Sequence, residues 1–525
     1  MKTNLYSRES ILKGLDHQGD WDVIVIGGGA TGLGTALDSV TRGYKTLLLE
    51  QVDYAKGTSS RSTKLAHGGV RYLAQGDIGL VREALFERGM MFQNAPHLVQ
   101  NQSFVIPNYK WWEGIYYTIG LKMYDLLAGS MSIGKSHHIK KENTLERIAN
   151  LKQDKLKGGV VYKDGQFDDS RLAVNVAQTC IENGATLLNH FEVTDLTEND
   201  KGKVSGVIAK DTETGISHQF TGKVIINATG VFADDILKME KADAKKTIVP
   251  SQGVHLVFDK SFLPGDDAIM IPKTEDGRVL FVIPWHNKAL VGTTDTNLES
   301  HSLEPQPLEK EIDFILKTFN NYNSKQATRK DVKSIFAGLR PLAAPKDASE
   351  KSKEISRSHK IIVSDSDLIT ITGGKWTTFR RMAQDAIDKV ISLKKLPEKE
   401  CKTKNFPLHG ARPTKNTENH LYIYGSDQPK LEKLITERPE LGAILDDRLP
   451  FVGAEVVWAV RYEMARTVED VLARRVRALF LDARAAIAMA PKVAALIREE
   501  LGQTQEWEDN QLSTFTKMAE KYVCK

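Results

Sequence analysis

The sequence predicts an α/β fold: a Rossmann-like unit joined to a mixed-sheet domain, followed by a separate α-helical domain. Three observations predict it. Val23-Ile24-Val25-Ile26 is the continuous apolar run of a strand buried on both faces. The glycine turn Gly27-Gly28-Gly29-Ala30-Thr31-Gly32 leads from it into a helical stretch to about Arg42. Gly43 stops that helix before a second strand, Thr46 to Leu49, and the whole is a βαβ unit. Beyond residue 416, strand-like runs give way to Ala, Leu, Glu and Arg at helical spacing.

The later elements follow the same reading. Gly159 to Tyr162, Lys203 to Ala209, Val224 to Ile226, His255 to Phe258, Val279 to Ile283 and Ala289 to Val291 are β-branched runs, expected to build a second, mixed sheet. Lys and Pro interrupt the periodicity over residues 393–415, as a linker would. The expected organisation is an extension over 1–20, an α/β unit over 21–392, the linker, and a helical domain over 416–525.

Composition narrows the class. The 525 residues carry 72 Lys and Arg against 68 Asp and Glu, a formal charge of +4, with 41% hydrophobic residues. That argues for packed domains and against a nucleic-acid partner. Cys180, Cys401 and Cys524 are too few and scattered for a disulfide framework or a CxxC metal site, so no metal is expected and a reducing, cytoplasmic setting fits. The first 20 residues carry charges throughout, unlike a secretory signal. No apolar run approaches ~18 residues, so any membrane contact is expected to be peripheral.

In the glycine turn, Gly27 permits the tight bend, Gly29 lets backbone approach a pyrophosphate, and Gly32 allows close packing of helix on strand. Free N–H groups at the helix start, near Thr31, would bind the anion. Glu50, at the end of the second strand, could accept hydrogen bonds from both ribose hydroxyls. The bland alternative is a structural turn beside a surface Glu. NAD and FAD suit the unit equally. Residues 57–73, GTSSRSTKLAHGGVRYL, crowd hydroxyls and glycines as a segment following a long cofactor would; a Ser- and Gly-rich surface loop has the same composition.

The motifs IGGGATGLGTALD, TSSRSTKLAHGGVRYL, APHLV, LKMYDLL, DDSRL, NATGVFAD, LFVIPW, GTTDT, GLRPL and GGKWTTFR occur in this order between residues 26 and 380, within a resemblance that spans roughly residues 20–490. In them the sequence closely resembles the FAD-dependent, quinone-linked respiratory glycerol-3-phosphate dehydrogenases. The resemblance implies an FAD-binding half interleaved with a substrate half, capped by the helical domain. It implies that Glu50 holds the adenosine ribose and that Ala228, Thr229 and Gly230 close over the dinucleotide. Thr58, Ser59, Ser60, Ser62, Lys64, Leu65, His67, Gly68 and Gly69 would line the cofactor, and Gly374, Lys375 and Thr377 would return to the flavin.

The implied reaction takes hydride from C2 of sn-glycerol 3-phosphate to flavin N5, giving dihydroxyacetone phosphate. Arg71, Arg340 and Arg357, with Tyr72, stand at family positions for a phosphate clamp, a task suited to the forked guanidinium. His255 is the expected general base. Lys375 would stabilise charge on the reduced ring, as a fixed cation does; Trp376 is bulkier than the family residue. Each has an ordinary counterpart: a surface ion pair, a strand histidine, a helix-start lysine.

The family passes electrons to ubiquinone or menaquinone, which implies peripheral attachment to the cytoplasmic face of the inner membrane. Residues 109–117 concentrate aromatics suited to an interface, but their continuation through Ile119, Met123 and Leu126 reads more readily as a core-facing helix. A second candidate surface carries Arg466, Arg474, Arg475, Arg477 and Arg484 along a helix opened by a Thr467–Asp470 capping box; its alternative is packing on the FAD-binding half. A glycerophosphate oxidase using dioxygen, an enzyme of another small acid, and a non-catalytic flavoprotein are the competing functions. Only residues 343–372 separate GLRPL from GGK, which favours the dehydrogenase over the oxidase. Oligomeric state is left open, a homodimer included.

Overall fold

The computed structural model describes residues 4–15, 19–73, 76–275, 277–344, 359–394, 396–413 and 419–525, for Arg71 the backbone alone. Trp21–Ile26 lies inside an eight-stranded sheet, parallel to Thr46–Leu49 on one side and to the end of Ser217–Asn227 on the other. Thr186–Leu188 and Ile369–Thr372 extend it in parallel, and Lys360–Val363 adds an antiparallel edge. The helices Ala30–Thr41, Asp169–Glu182 and Phe379–Lys394 cover one face. Val23, Ile24 and Val25 are fully buried, as a central parallel strand requires.

The second sheet has ten strands. Its spine is Ile248–Asp259, antiparallel to Val332–Ala343 over nearly its whole length and flanked on the other side by Lys288–Gly292, so that His255 stands opposite both Phe336 and Gly292. The chain enters this sheet twice, leaving the first sheet after Thr46–Leu49 and again after Ser217–Asn227, which interleaves the two halves. Two strands expected in the second sheet belong to the first: Val204–Asp211 pairs antiparallel with Phe191–Glu198 and with the start of Ser217–Asn227. β-branched content marks a strand but not its sheet.

Past Phe379–Lys394 the described chain forms only the one-turn Thr403–Asn405 before residue 419. The C-terminal region is then built on Gln428–Glu437, Gly453–Tyr462, Ala483–Leu501 and Gln505–Ala519, with one short hairpin, Ile444–Asp446 with Leu449–Val452. Near the N-terminus, the helix Arg8–Leu15 is tied down by Arg8 to Asn189 O and Asp211, both 2.7 Å.

Two surface expectations are corrected. Arg474, Arg475 and Arg477 are buried, not exposed. Asp53 accepts from Arg474 Nε at 2.5 Å and from Arg475 Nη1 and Nη2 at 2.8 and 3.0 Å, pinning the C-terminal region to the first sheet. The capping pair forms, with Asp470 N donating to Thr467 Oγ1 at 3.1 Å and Thr467 N to Asp470 Oδ2 at 3.0 Å. The following turn is a π-helix, Asp470–Arg475, and Arg477 adopts φ +65°. Conversely, the helix Glu113–Ala128 buries only Gly114, Leu121, Tyr124 and Ala128. Trp111 is 80% exposed, Ile119 65% and Leu126 79%, with Trp112, Ile115, Tyr116 and Met123 also outside.

Candidate active site

The glycine turn builds the first of two connected chambers. Gly27 has φ +106°, and a Cβ there would lie 2.8 Å from Ala228 O. A Cβ on Gly32 would lie 1.9 Å from Gly27 O, so Gly32 is set by helix-on-strand packing rather than by contact with the cavity. Ala30 N, at the helix start, donates to Ser59 Oγ at 2.9 Å. Glu50 accepts from Gly28 N at 2.6 Å and Val52 N at 3.0 Å; burial pushes its carboxyl up while these two amides oppose the shift. Gly27, Gly29, Thr31, Glu50, Thr58, Ser59, Ala228, Thr229 and Gly230 line a cavity of about 270 Å³.

The second chamber, of about 310 Å³, is lined by Thr58, Ser62, Leu65, His67, Gly69, Tyr72, His255, Arg340, Gly374, Lys375 and Thr377. Both chambers share Thr58, Pro341 and the turn Gly373 to Trp376, so they form one groove. The turn is well held: His67 N donates to Thr377 Oγ1 at 3.2 Å and Trp376 Nε1 to Ser59 O at 2.9 Å. The Trp376 ring packs edge-on against Phe167 and Phe379. Lys375 Nζ lies 4.1 Å from the centre of the Tyr72 ring, a cation–π contact.

Arg340 projects from Val332–Ala343 and donates to Thr293 Oγ1 and Thr294 O, both at 3.1 Å, with Asp295 3.4 Å away. A Cβ on Gly253 would fall 2.4 Å from Arg340 Nη2, so glycine makes room for this guanidinium. His255 is 2% exposed, stacks on Phe336 with ring centres 4.9 Å apart, and places Nε2 2.9 Å from Thr63 Oγ1. Burial, then the nearby cations Lys64 and Arg340, hold this imidazole well below the ordinary histidine range, so it is neutral at pH 7.

Several expected cofactor residues face elsewhere. Lys64 is fully buried, with Nζ donating to Asp169 Oδ2 at 2.7 Å and Ser60 O at 2.8 Å, and burial brings its amine down to about 8. Ser60 offers its carbonyl to Lys64 and lines neither chamber. Gly68 packs on Leu85 and donates to the Tyr124 hydroxyl at 2.7 Å, so it supports the wall from behind. Arg357 lies outside the described residues; Arg71 lies in the helix Val70–Leu73 beside Tyr72. Thr63 and Arg278 also line the second chamber. Thr63 sits inside the predicted segment, but nothing in a run of hydroxyls tells which one faces the histidine; Arg278 carries no local signal.

The groove fits FAD. A glycine turn too tight for any Cβ, a helix start and a buried carboxylate occupy one end; hydroxyls and the Gly373–Thr377 turn lead to the other. The sequence profile of the FAD dependent oxidoreductases matches residues 22–378, and that of the C-terminal domain of alpha-glycerophosphate oxidase matches residues 366–510. The mitochondrial glycerol-3-phosphate dehydrogenase of Rattus norvegicus is 40% identical over 97% of this chain and 75% of its own length. That of Schizosaccharomyces pombe is 37% identical over 98% and 89%. The glycerol-3-phosphate dehydrogenase of Bacillus halodurans, solved with FAD, superposes with a TM-score of 0.80 at 29% identity over 99% of this chain and 98% of that one. On fold, groove and sequence together, the chain belongs to the FAD-dependent glycerol-3-phosphate dehydrogenases.

Proposed function

We propose that the protein oxidises sn-glycerol 3-phosphate to dihydroxyacetone phosphate and delivers the electrons to a membrane quinone. The observation that carries the first part is the second chamber, which gathers Arg340, Lys375, Tyr72 and a buried His255 around one cavity. Bound FAD supplies the hydride acceptor. Arg340 binds the phosphate dianion, and its contacts to Thr293 and Thr294 orient the fork before substrate arrives. Arg71 and Arg357 complete the clamp by their family positions. His255, kept neutral by its surroundings, is ready to take the C2-hydroxyl proton. Lys375 places a cation on the turn shared by both chambers, where negative charge develops.

Anaerobic mixing of the purified flavoprotein with sn-glycerol 3-phosphate tests this reading. The visible flavin absorbance bleaches; an unchanged spectrum rejects the activity. His255→Ala slows bleaching by ~10²–10⁴-fold while FAD remains bound, and near-normal bleaching removes His255 from the mechanism.

For the acceptor, the supporting feature is the outer face of Glu113–Ala128. Trp111, Trp112 and Tyr116 have the amphipathic rings enriched at bilayer surfaces, Ile115, Ile119, Met123 and Leu126 extend the apolar stripe, and Lys110 and Lys122 flank it. Among the described residues no helix is long and apolar enough to cross a membrane. We place the contact at the lipid surface, where a quinone is the available oxidant. Reoxidation of the bleached protein by a soluble quinone analogue and not by air supports this; rapid reoxidation by air favours the oxidase.

A further inference from the structure

We propose that Thr63 relays the proton from the substrate C2 hydroxyl to His255, and that Asp169 and Arg477 are the positioning residues that hold it there. The inference rests on the function proposed above and deepens it. Of the two imidazole nitrogens, Nδ1 is buried and finds no hydrogen-bond partner among the described residues, while Nε2 meets Thr63 Oγ1 at 2.9 Å. Both residues line the chamber, but the imidazole is almost wholly covered whereas Thr63 is half-buried, and its hydroxyl is the partner of Nε2. The route from chamber to ring therefore passes through the Thr63 hydroxyl. In the relay the substrate O–H bond breaks as a new O–H bond forms on Thr63. The original Thr63 proton moves to Nε2, the C2–H pair leaves as hydride to FAD, and the C2–O bond becomes the carbonyl. Nε2 must accept, which puts the proton of the neutral ring on Nδ1.

The charged groups facing His255 are Lys64, from the same loop as Thr63, and Arg340, from the neighbouring strand; both resist an imidazolium. A phosphate dianion at Arg340 offsets that cation, so the ring gains basicity when substrate is in place.

Thr63 is braced on both sides from outside the chamber. Asp169 Oδ2 accepts from Ser62 N at 3.1 Å, Ser62 Oγ at 2.7 Å and Lys64 Nζ at 2.7 Å. Lys64 adopts φ +62°, sparsely populated for a side-chain-bearing residue, directly after Thr63. Arg477, reaching in from the C-terminal region, donates through Nη2 to Asp169 Oδ1 at 3.1 Å and Ser60 O at 2.9 Å. Three residues on, Phe480 packs edge-on against Phe336, the ring on which His255 stacks. Both halves of the Thr63–His255 contact are thus set by the C-terminal region.

The test compares Thr63→Val, which keeps the branched shape without the hydroxyl, with Thr63→Ser, which keeps the hydroxyl. Thr63→Val slows anaerobic flavin bleaching by ~10²-fold or more, and Thr63→Ser by less than ~10-fold, both retaining FAD and substrate affinity. Wild type gives a bowed rate dependence on deuterium fraction, the mark of two protons in flight. Asp169→Asn slows the wild type but adds little to Thr63→Val, because it acts through the same contact. If Asp169→Asn fails to fold, the Thr63 pair still decides. A readout independent of turnover is carbethoxylation of His255 by diethyl pyrocarbonate, followed by peptide mass: Thr63→Val quickens it by freeing Nε2. Equal rates in Thr63→Val and wild type, equal losses in Val and Ser, or a linear deuterium dependence overturn the relay. Failure of wild type to bleach rejects the functional reading instead, while carbethoxylation still reports the Thr63–His255 contact.

Discussion

The segment around Arg474 to Arg477 and the helix Glu113–Ala128 invert the usual placement of charge and grease. The first buries three guanidinium groups; the second exposes seven large apolar side chains within residues 111–126. The inside charges are matched. Asp53 serves Arg474 and Arg475, Asp169 serves Arg477, and Arg171 pairs with Glu463 at 2.8 Å. Buried charge persists only where partners and hydrogen bonds replace water, so this segment reads as the fastening of the C-terminal region. Among the described residues nothing covers the outside apolar stripe, which is what an interaction surface looks like. Burial of a residue type is decided by partners, not by its own polarity.

The largest expected effect comes from breaking the buried set. Asp53→Ala takes from buried Arg475 its close carboxylate and from Arg474 one of three, Glu469 and Asp470 remaining, and costs about 3–5 kcal/mol, read as a lower urea midpoint; a loss under 1 kcal/mol would mean the cluster is wet and dispensable. Next is the exposed stripe. Ile119→Glu with Leu126→Lys removes two side chains that each gain about 1.5–3 kcal/mol by leaving water. Flotation with anionic vesicles drops by ~10²–10⁴-fold on that arithmetic, while stability changes by no more than about 0.5 kcal/mol per site. Unaltered flotation would move the lipid contact elsewhere. Bleaching by substrate in solution is expected to be unchanged in this double variant.

The remaining effects are in pH, where two histidines outside both regions titrate and the stripe does not. His409 bridges Glu182 and Asp427 at 2.8 and 2.6 Å, and those carboxylates, against the opposing effect of burial, raise it to about 9. The folded state then holds the proton more tightly than the unfolded chain, so this stabilisation is full below about pH 6.5 and is lost as pH rises towards 9. His97 is the opposite case. Burial lowers it to about 4, so its contribution is full above about pH 6.5 and is lost as pH falls towards 4. Denaturation midpoints should fall at both ends. His409→Gln should remove the alkaline loss and leave the acid one; an unchanged alkaline limb would show that the bridge carries no net stability.

Legibility followed range along the chain. The turn Gly27 to Gly32, the strand before it and Glu50 lie within 30 residues, and their spacing alone specifies a nucleotide unit. The motif order pointed to His255, Arg340 and Lys375, and the fold brings these to one chamber. Lys64, Ser60 and Gly68 line neither chamber, because a conformation, not a composition, commits the Lys64 amine, the Ser60 carbonyl and the Gly68 N–H to other partners. Thr63 was hidden among similar hydroxyls for the same reason.

By itself, then, the sequence determined the interleaved α/β architecture, the cofactor class and the family reaction, because each rests on local spacing or on motifs in order. Only the tertiary structure decided which hydroxyl meets His255, that Arg477 reaches Asp169 from 308 residues away, and that the aromatic helix faces out. Those outcomes depend on which distant group arrives to satisfy a charge or cover an apolar face, and spacing along one segment carries no record of that.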